Sequence, residues 1–399
     1  MIQRSLRTRA AILGAAFAMG AAAAPAIAAD GSADLVKKLP EQVQQLYTPV
    51  IEVAPSAYDN FTPPKKPWKW CHSESYMGNP WRVTMNNELK RLVQGAIDTG
   101  DVSEFLVSDS NGDTAQQIAQ IRSFIDRGCS IISTIAGSAT GLDAAIADAY
   151  KAGIPVVTTA GAVTSPYAIN VMHNQNLWGY NMVQGIAKEL PNGGNILQIE
   201  GIPGHPLVQQ ENAGFDKGMS EHSNLKKLRK ISGKWTASVT KSAVLQALAT
   251  TPQKIDAAWS TGSETRVTAE AFAQAGRPLP LLTGSISGDA LGYWHEHQDT
   301  FKFYGGEVSP HVAAQNAFRV GMRLLSGQKP KVATIIAPMP TITQADLPNW
   351  YKSCMKPDSS SIFPVPPENP FPDELMDAYF TGGTGTPDFD YSKVPPSCP

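Results

Sequence analysis

From residue 68 onward, short apolar runs alternate with longer segments in which apolar residues recur at helical spacing. The runs of strand length, bounded by Gly, Pro, Asn and Asp, are WKWCHS, EFLVSDS, SIISTIA, IPVVTTA, AINVMH, NILQIEG, KLRKIS, AAWSTG, LPLLTGS and FKFYGGEV. The segments with helical periodicity are ELKRLVQGAIDTG, TAQQIAQIRSFIDRG, GLDAAIADAYKAG, NLWGYNMVQGIAKEL, NAGFDKGMSEH, SVTKSAVLQALATTP, SETRVTAEAFAQAG and VAAQNAFRVGMRLLSG. This alternation predicts an α/β fold with parallel sheets flanked by helices on both faces.

The alternation occurs twice, once up to about residue 173 and again from residue 194. It therefore predicts two similar Rossmann-like lobes, which the length of the chain accommodates. Before the first strand, we expect residues 30–66 to form a short helix and then an extended Pro-rich stretch. After residue 346 the chain becomes rich in Pro and Gly, which predicts a tail that follows the surface.

The first 28 residues have the three parts of a secretory signal peptide. Three arginines precede a long run of small and apolar residues, and small residues lead to a predicted cleavage site after Ala28. A retained membrane helix is the alternative, although the run is short and wrongly flanked for one. We therefore expect export to the periplasm. The formal net charge of −2, with interspersed charges and no basic face, argues against nucleic acid as a partner.

Four cysteines in an exported chain permit two disulfides. Cys354 and Cys398 both lie in the irregular C-terminal region and are the preferred pair. Cys71 and Cys129 lie in apolar runs, and either a bridge between these two or four free thiols remains open. The sequence contains no C-x-x-C, which argues against a redox or zinc site.

Polar side chains gather where the predicted strands end. In an open parallel sheet, ligands bind beyond the carboxyl ends of the strands. The stretch SESYMGNPW, residues 73–81, follows the first strand and is therefore expected to line that crevice. Further polar or small residues follow the other strands: Asp109, Ser110, Asn111, Gly137, Ser138, Thr159, Gly161, His173, Asn174, Asn176, His205, Gln209, Thr261, Ser263, Glu264, Ser285, Ser287 and Asp289.

Over about residues 68–345 the chain resembles the type I periplasmic solute-binding proteins of ABC transporters, in particular the ribose- and galactose-binding group. The motifs that carry the resemblance are Asn79-Pro80-Trp81, Gly-Ile-Pro-Val-Val at 153–157, Glu200-Gly201-Ile202-Pro203-Gly204, Gly214-Phe215 and the Ala-Gly at 275–276. The resemblance implies that the protein captures a small polar ligand, such as a sugar or polyol, and delivers it to an ABC importer. It also implies a monomer whose partner is the transporter permease, with no cofactor.

The same resemblance implies two lobes joined by three crossing segments, near residues 172–175, 283–287 and 305–309. The N-terminal lobe would then comprise residues 68–173 and 286–306, and the C-terminal lobe residues 174–285 and 307–345. An extension at 29–67 and a tail at 346–399 would flank them.

The family's aromatic ring in the Asn-Pro-aromatic segment stacks on the face of a sugar, which would be the role of Trp81. The alternative is that Trp81 is a core residue beneath the first helix. The full set of predicted ligand-binding residues is Ser73, Glu74, Tyr76, Asn79, Trp81, Ser138, His173, Asn174, His205, Gln209, Ser263, Ser285 and Glu307. Trp81 and Tyr76 would stack on the ligand, and the acids Glu74 and Glu307 would accept hydrogen bonds from it.

At several positions the chain departs from the charged groups with which the sugar binders hold hydroxyls. The residues that stand at those positions are Ala160 and Gly161, Gln209, Gly262 and Ser263, and Ser285. The departures predict a less charged pocket and leave the ligand open between a monosaccharide and a larger, less hydroxylated or partly apolar compound.

Two other functions remain. A sensory receptor with the same lobes would have the same sequence pattern. An exported α/β enzyme would need a nucleophile and base or a metal cluster, and the sequence predicts neither. Gly284-Ser285-Ile286-Ser287-Gly288 lacks the central serine of a nucleophile elbow, and His295 and His297 are spaced to point to different sides of a helix.

Overall fold

The computed structural model describes residues 29–48, 51, 53–359 and 361–398. The predicted signal peptide at 1–28 lies outside these residues. Within the described part of the chain, no helix combines the length and apolar character needed to cross a bilayer.

The strands follow the predicted pattern, and all ten runs of strand length form strands. In chain order they are β1 (Trp68–Glu74), β2 (Val102–Asp109), β3 (Ile131–Ile135), β4 (Val156–Thr159), β5 (Ala168–Met172), β6 (Gly194–Glu200), β7 (Leu225–Ser232), β8 (Ala257–Ser260), β9 (Leu281–Ser285) and β10 (Lys302–Gly306). Short strands that the pattern did not predict follow them: β11 (Lys329–Pro330), β12 (Thr334–Ile336), β13 (Thr341–Thr343) and β14 (Phe380–Thr381).

The α-helices are α1 (Ala29–Lys37), α2 (Glu41–Gln44), α3 (Pro80–Asp98), α4 (Thr114–Asp126), α5 (Asp143–Lys151), α6 (Gln175–Glu189), α7 (Pro206–Glu221), α8 (Ala237–Thr250), α9 (Thr265–Gln274), α10 (Gly288–Glu296), α11 (Pro310–Leu325), α12 (Leu347–Trp350) and α13 (Asp373–Met376). Short 3-10 helices lie at Gln45–Tyr47, Gln344–Asp346, Asp377–Tyr379 and Tyr391–Lys393. Helices α3 and α7 begin earlier than predicted because each opens with a proline, a residue favoured in the first turn of a helix.

Each lobe is built around one six-stranded sheet. The first has the order β12-β5-β4-β3-β1-β2 and is parallel throughout. The second has the order β13-β10-β9-β8-β6-β7, in which only the pair β10–β13 is antiparallel. Central strands such as β3 are buried along their whole length because helices cover both faces. The expected α/β class with two parallel sheets is confirmed.

Three segments between the lobe elements join the first sheet to the second. Residues 173–174 link β5 to α6, residues 307–309 link β10 to α11, and residues 337–340 link β12 to β13. Two of these lie where crossings were expected. The expected crossing at 283–287 is wrong, because β9 and the following helix both belong to the second lobe.

The lobe boundaries change accordingly. Strand β10 was expected in the N-terminal lobe, yet it pairs with β9 in the second sheet. Helix α11, expected in the C-terminal lobe, packs in the first core, where Phe318 stacks on Trp70 with ring centroids 5.5 Å apart. The reason is that the chain returns to the first lobe for α11 and β12 before it crosses back to the second lobe for β13.

Both flanking segments are packed against the lobes. In the N-terminal extension, the Tyr47 hydroxyl donates to the Thr334 carbonyl at 2.5 Å and Val43 is buried in the first core. The C-terminal segment contributes Phe371 and Tyr379 to the same core, so it is more than the surface tail that its composition predicted. Disulfides join Cys354 to Cys398, the preferred pair, and also Cys71 to Cys129.

Candidate ligand-binding site

A cavity of about 260 Å³ lies between the two lobes. It is placed at the carboxyl ends of both sheets, since it touches residues at or just after the ends of β4, β5, β8 and β9. This is the position at which open α/β sheets bind ligands, because the loops that follow the strands converge there. Its lining residues are Asn79, Pro80, Trp81, Arg82, Thr159, Ala160, Val171, Met172, His173, Gln175, Leu207, Glu211, Trp235, Ala237, Thr261, Gly262, Ser263, Glu264, Val267, Ser285, Ser287, Asp289, Val308, Ala313, Asn316 and Phe363.

Three aromatic rings line the cavity, and each comes from a different part of the chain. Trp81 belongs to the first turn of α3 in the first lobe, Trp235 to the turn between β7 and α8, and Phe363 to the C-terminal segment. Aromatic faces offer a flat apolar surface for the C–H faces of a small polar ligand, while polar groups at the edge fix its orientation.

The indole of Trp235 packs so close to Gly201 and Gly262 that a side chain at either position would collide with it. A Cβ on Gly201 would lie 2.2 Å from the indole, and one on Gly262 would lie 2.9 Å from it. Trp235 itself has φ near +50° and the preceding Lys234 has φ near +53°, a region that residues other than glycine adopt at a cost. The His205 ring meets the indole edge to face, with centroids 5.2 Å apart. The surrounding structure therefore holds this ring against the cavity.

Arg82 brings a positive charge to the first-lobe wall of the cavity. Its Nη1 donates to the buried carboxylate of Glu74 and, at 2.9 Å, to the Ser75 hydroxyl. Burial alone would raise the pKa of Glu74, but the charge of Arg82, the nearby His72 ring and a hydrogen bond from Asn86 hold it below its ordinary value. Glu74 therefore affects the cavity through Arg82, because it holds the guanidinium group in position.

Three acids lie on the second-lobe wall. Glu211 accepts a hydrogen bond of 2.8 Å from the Thr261 hydroxyl, and Asp289 accepts one of 2.8 Å from Arg266 Nε. Burial raises the pKa of Glu211 to about 8, opposed by the Thr261 bond and reinforced by the charge of Glu264. Burial and the charge of Asp289 raise the pKa of Glu264 to about 7. Near neutral pH the carboxyl groups of Glu211 and Glu264 can therefore donate as well as accept hydrogen bonds.

Five of the predicted ligand-binding residues line the cavity: Asn79, Trp81, His173, Ser263 and Ser285. Trp81 is half-buried and packs against the first core, and its indole Nε1 donates to the Val308 carbonyl. His173 lies in the first crossing segment, with its Nδ1 3.0 Å from the Ala337 carbonyl oxygen of the third. Burial lowers the pKa of His173, so a neutral imidazole links these two crossings.

The other eight predicted residues are not among those that line the cavity. Ser73 and Glu74 belong to the buried end of β1, which is longer than predicted, and Ser73 donates to Gln120. Tyr76 is exposed and lies over Gly78. Ser138 accepts from the Gly141 N–H within its own loop.

Helix capping accounts for two more of these residues. The side-chain Oδ1 of Asn174 accepts from the Leu177 N–H, and the His205 Nδ1 accepts from the Leu207 N–H. Burial and the charge of Arg82 lower the pKa of His205 to about 4. Gln209 is exposed on α7. Glu307 is buried behind Ser285, and burial raises its pKa well above the ordinary value.

Sequence reasoning missed several of the residues that matter most. Arg82 directly follows Trp81, and Glu211 lies one helical turn after Leu207 on the same face of α7. The local sequence could therefore have indicated that both residues line the cavity. Trp235 also had a local signal, as an aromatic residue in a strand-to-helix turn. Phe363 had none, because it lies far along the chain in a Pro-rich segment. Within the described residues, no cluster of three potential metal ligands occurs.

A family model described as "Periplasmic binding protein domain" matches residues 73–329. Among curated proteins, the chain is 26% identical over 149 residues to the ribose import binding protein RbsB of Haemophilus influenzae, which covers 37% of this chain and 49% of that protein. It is 27% identical over 133 residues to the xylitol-binding protein of Mycolicibacterium smegmatis, covering 33% of this chain and 38% of that protein. The chain thus spans about half the length, or less, of these relatives.

Solved structures resemble it over a longer range. An ABC transporter solute-binding protein from Thermobispora bispora superposes with a TM-score of 0.68 at 22% identity, covering 81% of this chain and 100% of that one. One from Bacillus halodurans, with bound myo-inositol, superposes with a TM-score of 0.64 at 20% identity, covering 72% and 99%. These likenesses confirm the two-lobed fold. The family match extends over more than half of the sequence, and the chain therefore belongs to the periplasmic binding protein domain family.

Proposed function

We propose that the protein is a periplasmic solute-binding protein that captures a small polar ligand, a sugar, a polyol or a related compound, and delivers it to an ABC importer. The observation that carries the proposal is the cavity between the lobes. It lies at the carboxyl ends of two parallel sheets and beside the segments that join them, which is where a ligand can contact both lobes at once.

The proposed mechanism is reversible capture by two hinged lobes. A ligand that bridges Trp81 and Arg82 on one wall and Glu211 and Trp235 on the other stabilises the arrangement in which both walls are close. It can do so only by its differential affinity for that arrangement over an open one. The three crossing segments are short, so they can serve as the hinge.

The composition of the wall supports a neutral, hydroxylated ligand. Hydroxyls of Thr159, Thr261, Ser263 and Ser287 surround the cavity, and Asn316 adds an amide. The names of the relatives, which include ribose and xylitol binders, support the same class. The cavity volume is close to the lower end of the range for ligand pockets, roughly 300–1,000 Å³, which suits a compound of this size.

The remaining parts of the proposal concern the setting of this binding event. We propose that the leader is cleaved on export, that the chain acts as a monomer, and that a permease recognises surfaces on both lobes. A sensory receptor would use the same capture step with a different partner. An enzyme is not proposed, since the family consists of binding proteins and capture needs no reactive group.

Native mass spectrometry of the protein purified from its own periplasm, before and after mild denaturation, tests the proposal. Release of a molecule with the mass of a sugar or polyol is expected. A heavier or aromatic mass would contradict the ligand class and keep the capture mechanism. Conversion of the released molecule by the protein would contradict capture and favour an enzyme.

A thermal-shift panel of ribose, xylitol and myo-inositol complements this experiment, because a ligand that binds only the folded chain raises its Tm. Deletion of the gene, followed by uptake of the radiolabelled ligand, separates transport from sensing. Transport predicts lost uptake, whereas a sensor predicts normal uptake with lost response.

A further inference from the structure

The C-terminal segment 344–398 crosses between the lobes twice. It starts in the second lobe, where Leu347, Trp350 and Met355 are buried in the core. It then enters the first lobe, where Phe371 and Tyr379 are fully buried. It finally returns to the second lobe, where Cys398 is bonded to Cys354.

Phe363 lies at the beginning of the first of these passes and faces the ligand cavity. It is 4% exposed and is a lining residue together with Ser287 and Asp289. Its neighbour Ile362 accepts a hydrogen bond of 2.9 Å from the N–H of Gly288, the first residue of α10. A Cβ at Gly288 would approach Ile362 to 2.9 Å, so the close packing of Ile362 on α10 requires glycine at this position.

The hold on the first lobe is ionic as well as apolar. Arg319 and Arg323 of α11 both donate to Asp373 at 2.7 Å, and Arg323 also pairs with Asp377 at 2.6 Å. Both guanidinium groups are almost completely buried, so Asp373 and Asp377 neutralise charges that would otherwise be costly there. The Tyr379 hydroxyl donates to the Ile336 carbonyl at 2.9 Å, directly before the third crossing segment.

The C-terminal segment is attached to the second lobe at both of its ends, and a disulfide bond joins these ends. The disulfide joins residues 44 positions apart, so the chain between Cys354 and Cys398 forms a covalent loop through both passes. The two passes also touch each other, because the Val365 N–H donates to the Ser397 hydroxyl at 2.6 Å and the Tyr391 hydroxyl donates to the Pro366 carbonyl at 2.7 Å.

We propose that the C-terminal segment is a working part of the ligand site: it supplies Phe363 as a wall that sets which ligands fit, and its two passes limit how far the lobes separate. The proposal rests on the proposed function for the meaning of the cavity. Its mechanical part is independent of any ligand, because a segment anchored in both lobes must be extended or released when they move apart.

The mechanical part is tested on the ligand-free chain. Nitroxide labels carried by an unnatural amino acid at the exposed positions of Val83 and Ile202, one on each lobe, report the distance between lobes. The second pass is released by Cys354→Ser with Cys398→Ser. The first is cut after folding, by a protease site inserted between the exposed Pro367 and Glu368.

The protein can then be compared in four states: with both passes intact, with only the first released, with only the second released, and with both released. We expect a longer and broader distance distribution in each single state and the largest change when both passes are released. Identical distributions in all four states would overturn the mechanical part. The cut chain keeps the proposal testable even if the cysteine variant does not fold, since the cut is made in the folded wild-type background.

The specificity part is tested with Phe363→Ala, using Phe61→Ala as a matched control. Phe61 lies in the N-terminal extension, packs on the first core and meets the Tyr58 ring edge to face, and it does not line the cavity. With ribose, xylitol and myo-inositol as probes, we expect Phe363→Ala to change the Kd of the best-bound probe by about tenfold and Phe61→Ala to leave it unchanged.

The outcomes separate the two levels of the proposal. Equal effects of the two substitutions on Kd, or none, would overturn the assignment of Phe363. Failure of all three probes to bind the wild type would contradict the proposed ligand class. It would also contradict the claim that Phe363 selects among ligands of that class. The distance measurements would still decide whether the segment restrains the lobes.

Discussion

The indole Nε1 of Trp81 donates a hydrogen bond of 2.7 Å to the carbonyl oxygen of Val308. Trp81 is the second residue of α3 in the first lobe, whereas Val308 lies in the second crossing segment, and both line the cavity. The ring that would stack on a ligand is therefore fixed to the segment that joins the lobes.

Replacement of this tryptophan tests its role in binding. Trp81→Ala removes the ring and is expected to weaken ligand binding by about 1.5–3 kcal/mol, or about 10–100-fold in Kd. Trp81→Phe retains a flat face and loses only the hydrogen bond, so its effect should be smaller, about 0.5–1.5 kcal/mol. Titration calorimetry with the ligand identified by mass spectrometry measures both.

Tyr76→Ala is the control for this series. Tyr76 is an aromatic residue in the same loop, but it is exposed and does not line the cavity. Its removal should leave Kd unchanged. A loss of affinity equal to that of Trp81→Ala would instead assign Tyr76 to the ligand site and count against binding in the cavity between the lobes.

The close packing of the Trp235 indole against Gly201 gives a second prediction. Gly201→Ala places a methyl group 2.2 Å from the indole, so the ring must move. We expect a loss of about 1–3 kcal/mol in the free energy of unfolding and about tenfold weaker binding. Chemical denaturation and calorimetry measure the two effects.

Gly95→Ala is the matched substitution elsewhere. Gly95 lies in the interior of α3, and an added Cβ meets no atom within 4 Å. Alanine there should stabilise the helix by about 0.5–1 kcal/mol and leave binding unchanged. If the Gly201 variant bound as tightly as the Gly95 variant, the position of the Trp235 ring would be irrelevant to the ligand.

The buried carboxyl of Glu211 predicts how stability depends on pH. Its folded-state pKa of about 8 lies above the ordinary value of 4.5, so the folded chain keeps a proton that the unfolded chain loses. This contribution to stability is complete below the ordinary pKa and is lost as the pH rises through about 8. The free energy of unfolding should fall with a slope of up to about 1.4 kcal/mol per pH unit for this one proton.

Glu211→Gln keeps a neutral hydrogen-bonding group and should make this slope shallower between about pH 5 and 8. Glu221→Gln is the control, since the Lys217 ammonium beside the exposed Glu221 lowers the pKa of that carboxyl and confines its effect to acidic pH. Urea unfolding at several pH values gives the slopes. Parallel slopes for the wild type and Glu211→Gln would show that Glu211 is already ionised in the folded chain.

Asp373 anchors the C-terminal segment to two buried arginines. Burial alone would raise the pKa of Asp373, but hydrogen bonds from Arg319, Thr386 and Arg323 and the charge of Arg319 lower it to about 2. Asp373→Asn should therefore reduce the free energy of unfolding by about 2–3 kcal/mol at neutral pH, less than for a fully buried pair because the carboxylate is one-third exposed.

The neighbouring Glu374→Gln serves as a control because Glu374 is exposed. The wild type should lose the contribution of Asp373 as the pH falls from its ordinary pKa of 3.8 through about 2, and Asp373→Asn should lack that step. Denaturation curves at neutral and acidic pH check both statements. Equal stability of the two variants at neutral pH would show that the ionic anchor contributes little.

Local sequence determined the elements of this protein. Apolar residues at a period of two or at helical spacing are buried whatever the neighbours are, so all ten predicted strands form. Parallel strands connected through helices place their carboxyl ends at one edge, so the position of the site also followed from the pattern. Within it, Asn79, Trp81, His173, Ser263 and Ser285 were found because each lies at the end of a strand or in the loop or helix turn that follows one.

Only the tertiary structure decided which strand ends point into the cavity and which side chains are already satisfied. Glu74, Asn174 and His205 have the chemistry of ligand contacts, yet each is bonded within its own loop or helix terminus. These bonds join residues close in sequence, but they depend on where each helix begins, and α3 and α7 begin earlier than the apolar pattern predicts. Phe363 shows the opposite case: it reaches the cavity because a disulfide and two buried arginines hold a Pro-rich segment across both lobes, and those contacts join residues far apart in sequence.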